Sequence, residues 1–374
     1  MPGATSKTDV CILGGGPAGL AAAIAVRRAG LQATVIDHAY PPINKACGEG
    51  IMPDGIAALA RLGVRLDVSQ SVPFSGIRFI NDQQQVEASF SSGVGLGLRR
   101  TLLHQQLVEA AVRAGVQIIW GGRLIGISES RVLLDGQNIA CRWIVGADGQ
   151  NSRVRFLSGL DRILSERSRF GFRQHYRVAP WSNFVEVHWA DCGQVYITPV
   201  GENTVCLAFI TALKSLRMPD AIDFFPALAC RLKNAIPEGP VRGAITVFRR
   251  LEKVCQKNVA LIGEAAGSVD AITGEGLAIA FHQAIALADA LKTADLASYQ
   301  AAHERILRLP RIIATLMLNI GSRAAFRRRM FQALDSQPET FARMLAVHTG
   351  TVSPMNFGVA NTLSLGWRLV AAKS

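Results

Sequence analysis

Three glycines near the start of the chain have the spacing of a phosphate-binding turn. Gly14, Gly16 and Gly19 lie between an apolar run and a run of small residues. The first glycine permits a tight turn, the second lets the backbone approach a pyrophosphate, and the third lets a helix pack on a sheet. Pro17 and Ala18 would begin that helix, whose free N–H groups face the phosphates. This pattern favours dinucleotide binding over an ordinary glycine turn.

Three acidic residues follow apolar runs that read as strands. They are Asp37, Asp148 and Glu264. An open α/β sheet binds its ligands at the carboxyl ends of its strands, and Asp37 is placed to accept hydrogen bonds from ribose hydroxyl groups. A single acid of this kind is often a helix N-cap. Three of them in one chain indicate a binding edge.

The elements that position these residues begin with a βαβ unit. Residues 9–13 form a short apolar run, a helix with small residues follows and ends at Gly30, and residues 31–37 form a second strand. Such a unit makes parallel strands and predicts a doubly wound, Rossmann-type sheet. A second unit follows, with an amphipathic helix over 101–114 and a strand over 116–120.

The middle of the chain has a different pattern. Alternating polar and apolar residues predict an antiparallel meander, with strands at 168–178, 183–190, 193–199, 203–210 and 241–251. Parallel-strand character returns at 258–267, an apolar helix is expected over 275–292, and the chain is helical from Tyr299.

The predicted domain organisation divides the cofactor domain into three separated segments. The cofactor-binding segments are 1–75, 99–165 and 256–295. A substrate-sheet hairpin is expected at 76–98, the antiparallel substrate domain at 166–255 and a C-terminal helical cap at 296–374.

Charge and cysteine usage narrow the class of protein. The 374 residues carry 40 lysines and arginines against 28 aspartates and glutamates, a formal net charge of +12. That excess suits a phosphorylated cofactor or an anionic membrane surface, and no DNA- or RNA-binding motif accompanies it. The seven cysteines include no C-x-x-C pair, as in reduced, cytoplasmic proteins. We find no signal peptide and no apolar run of about 18 residues, so we expect no membrane span.

Taken together, three segments resemble the para-hydroxybenzoate hydroxylase superfamily of FAD enzymes. They are the glycine-rich turn, G-A-D-G-Q-N-S-R at 146–153 and G-E-A-A-G-S-V-D at 263–270, in this order and spacing. The superfamily includes flavin monooxygenases, flavin-dependent halogenases and geranylgeranyl reductases, and the resemblance covers most of residues 8–290. It implies that FAD lies across the strand ends, with its pyrophosphate on the three glycines and its adenosine ribose on Asp37.

The resemblance also implies further cofactor-binding residues. Arg100 opens the helix pattern R-x6-L-x3-A-x3-G and would face the cofactor, and Asp148 matches the acid of the "DG" motif. Glu264 stands where the superfamily usually has the aspartate that binds the ribityl chain, so its side chain is one methylene longer. Gly274, Glu275 and Gly276 would lie beside the pyrimidine edge of the flavin, where helix N–H groups stabilise negative charge on the reduced ring.

Cys47 lies in the segment that separates the branches of this superfamily. The run K-A-C-G-E-G-I-M-P at 45–53 resembles the cysteine-containing stretch of geranylgeranyl reductase-like proteins, where the cysteine lies near the reactive face of the flavin. Three interpretations stay open: a small packing residue, a residue that shapes the substrate site, and a covalent flavin link. Reactivity would need a thiolate, which requires a lowered pKa.

Other candidates for acid–base chemistry are few. Tyr196 lies on a strand expected to face the flavin and is the best candidate for a polar group in the substrate cavity. His175 and His188 lie on predicted strands and His282 on an apolar helix, positions that favour a structural role. The W-x-W-x-I-P motif of halogenases is absent, and residues 193–199 read G-Q-V-Y-I-T-P instead.

The predicted function is that of an FAD oxidoreductase. Reduction by NADPH or NADH at the flavin ring is expected, because no second G-x-G-x-x-G exists to bind a nicotinamide separately. The first hypothesis is a monooxygenase of a hydrophobic or aromatic small molecule, whose pocket must exclude water. The alternative is a geranylgeranyl reductase-like enzyme that saturates double bonds of a lipophilic, polyprenyl substrate. A non-enzymatic flavin-binding module is the third interpretation.

The C-terminal helices combine apolar runs with arginines, as in I-I-A-T-L-M-L-N-I at 312–320. They would either pack as a layer on the FAD domain or lie on an anionic membrane. Peripheral membrane contact is therefore one expectation for a protein that is otherwise cytoplasmic.

Overall fold

The computed structural model describes residues 5–81 and 83–353. The strands are β1 Thr5–Leu13, β2 Ala33–Asp37, β3 Gly50–Ile51, β4 Val72–Phe74, β5 Gly76–Ile80, β6 Gln85–Ser89, β7 Gly95–Gly97, β8 Gln117–Trp120, β9 Leu124–Ser128, β10 Arg131–Leu134, β11 Gln137–Gly146, β12 Ile163–Arg177, β13 Val185–Ala190, β14 Gly193–Gly201, β15 Thr204–Thr211, β16 Ile236–Leu251, β17 Cys255–Gln256 and β18 Val259–Leu261.

The helices of the described residues are α1 Pro17–Arg28, α2 Pro53–Arg61, α3 Arg100–Arg113, α4 Arg153–Leu157, α5 Met218–Ala221, α6 Pro226–Leu232, α7 Gly276–Thr293, α8 Leu296–Gly321, α9 Ala324–Ser336 and α10 Pro338–His348. Short 3-10 turns lie at Val68–Gln70, Ile222–Phe224, Gly263–Ala266 and Ala271–Thr273.

The first sheet is the predicted doubly wound sheet. Its main path runs β17-β18-β11-β1-β2-β8, and β1 pairs in parallel with both β11 and β2. Helices α1 and α7 pack together on it, and most residues of α1 are buried small or apolar residues, as an element between a sheet and another helix requires. The parallel order places the carboxyl ends of β1, β2 and β11 side by side.

The second sheet contains seven strands in the order β16-β12-β15-β14-β13-β5-β6. Four consecutive neighbours, β12, β15, β14 and β13, are antiparallel, as the alternating pattern predicted, and β5 joins β13 in parallel. A third, small sheet joins β3, β7 and β4, and its β3 contains the end of the cysteine-bearing segment.

The C-terminal helices pack on the second sheet. Phe79 of β5 contacts Phe341 of α10 and Trp189 of β13, with ring centroids 4.8 and 5.6 Å apart, and Phe331 of α9 is fully buried in the same cluster. Each such buried aromatic side chain contributes on the order of 2 kcal/mol. The end of the predicted cap, residues 354–374, lies outside the described residues.

Observed boundaries differ from the predicted ones mainly in the meander. Strand β12 begins at Ile163 and β16 at Ile236, about five residues before the predicted starts, because these two strands pair with each other from Ile163 and Leu251 to Arg177 and Ile236. Their extensions are largely exposed on both faces and therefore lack the alternation from which strands are recognised.

Candidate cofactor and active site

The glycine-rich turn has the geometry that its spacing predicts. Gly14 has φ +116°, and a Cβ there would lie 2.2 Å from the carbonyl oxygen of Ala147. A Cβ on Gly19 would lie 1.8 Å from the carbonyl oxygen of Gly14, so α1 packs against the turn without room for a side chain. A Cβ on Gly16, by contrast, would meet no atom of the described residues within 4 Å. Gly16 therefore faces an open space in front of α1, which begins at Pro17.

The peptide of Gly15 is held from both sides. Its N–H donates to Oδ2 of Asp37 at 2.7 Å, and its carbonyl lies 2.8 Å from Nε2 of His104 on α3. Burial lowers the pKa of His104, so the ring is neutral and its Nε2–H donates. The other carboxylate oxygen of Asp37 accepts the N–H of Ala39 at 2.8 Å. Asp37 thus orients the turn from the end of β2, where the ribose is expected.

Asp148 has a structural task in addition to any contact with a cofactor. Its Oδ2 accepts the N–H groups of Arg153 and Val154 at 2.7 and 3.1 Å, and its Oδ1 accepts the hydroxyl of Ser152. These groups form the free N-terminus of α4. Asp148 therefore stabilises the first turn of α4, whose N-cap is Ser152, while its role toward FAD stays a prediction.

The third strand-end segment, which contains Glu264, lies close to the first two. A Cβ on Gly149 would lie 3.8 Å from Oε2 of Glu264 and 3.6 Å from Nζ of Lys45. A Cβ on Gly263 would lie 2.8 Å from the Cβ of Ala18 at the start of α1. The Glu264 side chain is exposed and lies at the same edge as the glycine turn.

Arg100 provides a positive charge at this edge. It begins α3, and its backbone N–H donates to Oε1 of Glu49 at 3.1 Å. Its Nε is buried without a hydrogen-bond partner among the residues that the structure describes. A buried guanidinium N–H without a partner is costly, and a phosphate or ribityl oxygen would satisfy it. The unpartnered Nε and the open space at Gly16 both fit a bound dinucleotide.

The T-G-E-G turn before α7 exposes glycines and buries its acid. Gly274 has φ +68°, and a Cβ on Gly276 would meet no described atom within 4 Å. The Glu275 carboxyl is buried, with Oε1 3.4 Å from Nδ1 of His348 on α10, and the predicted contact of Glu275 with the cofactor stays a prediction. Backbone groups of this turn, rather than the Glu275 carboxyl, remain available to a flavin.

The contact between Glu275 and His348 requires a proton on the acid. Nε2 of His348 lies 3.1 Å from the carbonyl oxygen of Thr273, so Nε2 carries the hydrogen and Nδ1 is an acceptor. Burial raises the pKa of Glu275 well above its ordinary value, with the negative charge of Asp54 as a second cause, and lowers that of His348 to about 4. A neutral carboxyl that faces a neutral imidazole satisfies both changes.

A buried ionic network lies beneath the cysteine-bearing segment and was missed from the sequence. Oε2 of Glu49 lies 2.6 Å from Nε2 of His175 on β12, and Nη1 of Arg173 lies 3.0 Å from Nδ1 of the same ring. Because Arg173 donates to Nδ1, the imidazole is the neutral Nε2–H tautomer and donates to Glu49. Arg173 also donates to Asn44 at 2.6 Å. The network joins the segment to the second sheet.

Glu49, His175 and Cys206 place potential ligand atoms within 4.8 Å of one another, a spacing that a metal ion can bridge. The Arg173 guanidinium next to this cluster already supplies the positive charge, with its Nε 4.0 Å from Oε1 of Glu49. A second cation there would be repelled. The cluster is therefore an internal ion pair.

Cys47 is half-buried at the turn that this network holds. Its Sγ accepts the N–H of Glu49 at 3.4 Å, and its carbonyl oxygen accepts the thiol of Cys206 on β15 at 3.6 Å. Glu49 has φ +59°, a left-handed conformation that a non-glycine residue adopts at a cost. A Cβ on Gly48 would meet no described atom within 4 Å. The turn presents its Cys47–Gly48 edge to open space.

Tyr196 does not have a free hydroxyl. Its O–H donates to the carbonyl oxygen of Ile272 at 2.9 Å, just before the T-G-E-G turn, and burial raises its pKa far above the ordinary value. This geometry makes Tyr196 a tie between the second sheet and that turn. The predicted role of Tyr196 in the substrate cavity stays a prediction.

The family is shown by sequence comparison. The profile of the FAD binding domain family matches residues 7–211, more than half of the chain. The chain therefore belongs to this family. Together with the fold and its relatives, the match defines an FAD-dependent oxidoreductase of the para-hydroxybenzoate hydroxylase-like superfamily.

Individual relatives include reductases and a monooxygenase. The chain is 27% identical over 320 residues to menaquinone reductase of Mycobacterium tuberculosis, which covers 78% of each protein. It is 25% identical over 300 residues to digeranylgeranylglycerophospholipid reductase 1 of Methanopyrus kandleri, 72% of this chain and 76% of that protein. It is 27% identical over 161 residues to rifampicin monooxygenase of Streptomyces venezuelae, 41% of this chain and 34% of that protein.

A solved structure confirms the fold. The flavoprotein/dehydrogenase from Cytophaga hutchinsonii superposes with a TM-score of 0.81 at 16% identity, over 96% of this chain and 98% of that one. Within residues 5–81 and 83–353, none of the helices combines the length and apolar character needed to cross a membrane.

Proposed function

We propose that this protein saturates carbon–carbon double bonds of a lipophilic, polyprenyl substrate, with electrons from NADPH or NADH. The observation that carries the proposal is the Cys47–Gly48 edge, which Glu49 and His175 hold between the strand-end cofactor site and the second sheet. Among relatives matched over most of the chain, the menaquinone and digeranylgeranylglycerophospholipid reductases support a reductase, while the putative FAD-dependent monooxygenase YetM of Bacillus subtilis supports the alternative. We therefore place double-bond reduction before monooxygenation as the function of this protein.

In this reaction some residues would bind the cofactor and Cys47 would supply a proton. Gly14, Gly16, Gly19, Asp37 and Arg100 would hold FAD, which supplies hydride to the substrate when bound and reduced. Saturation of a double bond also needs one proton on the second carbon. In our proposal the Cys47 thiol donates it, because the N–H of Glu49 occupies an Sγ lone pair and leaves the S–H directed elsewhere. The resulting thiolate regains a proton from water after product leaves.

Glu49 and His175 would act as positioning residues. The neutral His175 ring bridges the carboxylate of Glu49 and the guanidinium of Arg173, so no net charge is left unpaired in the network. The network excludes water from beneath the turn, because Glu49 and His175 are only 3% and 7% exposed. A lipophilic chain would thus meet the Cys47–Gly48 edge on a dry, fixed support.

Hydroxylation of a hydrophobic or aromatic small molecule is the second candidate. The partial similarity to rifampicin monooxygenase favours it. The two candidates differ in their need for oxygen. A monooxygenase consumes O2 with each product, whereas a double-bond reductase turns over without it.

An anaerobic single-turnover experiment tests the proposal. The FAD-loaded enzyme is reduced with one equivalent of NADPH or NADH and mixed with a detergent-solubilised polyprenyl quinone. We expect the visible absorbance of oxidised flavin to return as saturated product forms. Cys47→Ala should be reduced by the nicotinamide as fast as wild type but reoxidised by the quinone at least about tenfold more slowly, and Cys47→Ser should recover part of the rate. Reoxidation that occurs only after oxygen is admitted would overturn the proposal.

A further inference from the structure

The longest helix, α8, has an exposed face that is basic at one end and apolar at the other. Arg305, Arg308, Ile312 and Leu316 follow one another at intervals of three or four residues and therefore share this face. Both arginines are exposed, and the side chains of Ile312 and Leu316 are 59% and 37% exposed. A helix that only packs on the protein would bury such residues or replace them with polar ones.

A groove of about 420 Å³ lies at the basic end of this face. It lies between α8 and the end of β16 and is lined by Arg250, Glu304, Arg305, Arg308 and Arg311. Four guanidinium groups thus face one carboxylate. Arg311 Nη1 already binds Glu304 at 2.7 Å, while Nε of Arg311 is buried and has no hydrogen-bond partner in the described residues of the chain. The groove is a net cationic site with an unsatisfied donor.

A second groove continues along α8 from the first. It has a volume of about 180 Å³ and lies between α8 and the paired strands β12 and β16, where its lining includes Arg167, Phe248 and Leu318. Its lining also contains the Glu166 carboxylate beside the Arg167 guanidinium, so only its apolar side chains continue the character of the α8 face. The helix then packs against the 3-10 turn Ala271–Thr273, which precedes the T-G-E-G turn. The two grooves therefore follow α8 toward the predicted flavin site.

We infer that the α8 face, together with Arg311 and with Arg250 of β16 in the first groove, docks on a membrane of anionic phospholipid. Guanidinium groups bind phosphate oxygens in a forked, bidentate geometry, and the four arginines of the groove match lipid phosphates. Ile312 and Leu316, one to three turns further along, are placed to enter the boundary between headgroups and acyl chains. Free phosphate would use the arginines but not the two apolar residues.

The inference deepens the proposed function, and rests on it only for the origin of the substrate. A polyprenyl compound partitions into the bilayer, so an enzyme docked there takes it from a concentrated pool. Docking through the basic face would place the second sheet and its neighbouring turn near that pool. The net charge of +12 acts in the same direction, because it attracts the whole protein to an anionic surface.

Vesicle sedimentation tests this surface on the FAD-loaded, full-length protein. Vesicles of phosphatidylcholine with one third phosphatidylglycerol should bind it, and pure phosphatidylcholine vesicles should not. Each arginine near a membrane surface strengthens partitioning about fivefold, so Arg305→Ala with Arg308→Ala should weaken binding about 30-fold. The matched control, Arg65→Ala with Arg131→Ala, removes the same charge from exposed positions elsewhere and should change binding less than about threefold.

The apolar end is tested separately. Ile312→Ser with Leu316→Ser should weaken vesicle binding at least about tenfold at high salt, where the electrostatic contribution is screened. Equal losses for the two arginine pairs would overturn the surface and leave only an effect of net charge. Displacement from vesicles by millimolar inorganic phosphate at constant ionic strength would overturn it in favour of a soluble-phosphate site.

Activity separates this inference from the proposed function. Variants of the α8 face should reduce a short-chain, detergent-solubilised quinone at the wild-type rate and lose activity only toward quinone in vesicles. If vesicle binding is absent while the soluble quinone is still reduced, the docking surface is wrong and the proposed reaction stands. If vesicles bind but neither quinone is reduced, the reaction is wrong and the surface stands.

Discussion

The carboxylate of Glu49 lies 2.6 Å from Nε2 of His175, although 126 residues separate them in the sequence. Glu49 belongs to the cysteine-bearing segment at the cofactor edge, and His175 belongs to the second sheet. Because Arg173 donates to the opposite nitrogen of the ring, the imidazole acts as a neutral bridge between two opposite charges. The pair therefore fixes the distance between the predicted flavin site and the sheet opposite it.

Removal of Glu49 should be costly. Glu49→Ala leaves the Arg173 guanidinium buried without its countercharge, and we expect a loss of about 3 kcal/mol in the free energy of unfolding. His175→Gln keeps an N–H donor toward Glu49 and should cost about 1 kcal/mol. Urea denaturation of the FAD-loaded protein measures both. The control is Glu87→Ala, which breaks the exposed ion pair with Arg78 and should cost about 0.5 kcal/mol. If Glu49→Ala lowered the free energy of unfolding by no more than this control, the anchoring role would be refuted.

Gly16→Val should abolish FAD binding without damage to the fold. The side chain would enter open space where the pyrophosphate is expected, since its Cβ would meet no described protein atom within 4 Å. Gly19→Val is the contrasting variant, because its Cβ would collide with the Gly14 carbonyl 1.8 Å away and should destabilise the apoprotein. Flavin absorbance after dialysis against FAD and the apoprotein melting temperature separate the two effects. A yellow Gly16→Val protein would move the pyrophosphate elsewhere.

Asp54 should make stability depend on pH. Burial raises the pKa of Asp54 from 3.8 to about 6. Asp54 lies in the first turn of α2, and the nearby Glu275 carboxyl lies at the start of α7, which packs against α2. Between pH 4 and pH 6 the Asp54 carboxyl holds its proton more tightly in the folded protein than in the unfolded chain. Asp54 therefore makes stability fall as the pH rises through this range. Asp54→Asn should remove the fall and gain about 1–2 kcal/mol at pH 7.5. Parallel stability curves for the two proteins across this window would contradict the raised pKa.

Tyr196→Phe distinguishes a structural tie from a catalytic group. Loss of the hydrogen bond to the Ile272 carbonyl should lower stability by about 1 kcal/mol. If the hydroxyl only ties the sheet to the turn, kcat should stay within about threefold of wild type, whereas loss of a general acid costs about a hundredfold or more. Steady-state rates with the soluble quinone decide between these roles. The large rate loss would restore the catalytic prediction for Tyr196.

The cofactor edge was predictable because its signals are local. A strand, three glycines and a helix occur within residues 5–28, and the acids at 37, 148 and 264 each lie at the end of a strand or within three residues of it. Parallel order alone then brings them to one edge. The antiparallel meander was also predictable from the sequence, since its central strands are buried on one or both faces and separated by turns.

The Glu49–His175 pair was not predictable in the same way. Glu49 lies in the loop before β3 and His175 lies on β12, and the left-handed backbone of Glu49 has no sequence signature. One signal was present: Arg173 and His175 stand two residues apart on β12 and therefore share a face, on which both are buried. Similarly, nothing local in the T-G-E-G turn indicates that α10 supplies His348 and buries the Glu275 carboxyl. Long-range packing decided both cases.

Isotope labelling of product under 18O2 tests the central proposal most directly. The FAD-loaded enzyme is supplied with NADPH or NADH and a polyprenyl quinone in air enriched with 18O2, and the mass of the extracted product is measured by mass spectrometry. Once the extract has been reoxidised from quinol to quinone, we predict products that gain two hydrogen atoms per saturated bond and contain no 18O. A product that gains one 18O atom would contradict the double-bond reductase and establish the monooxygenase.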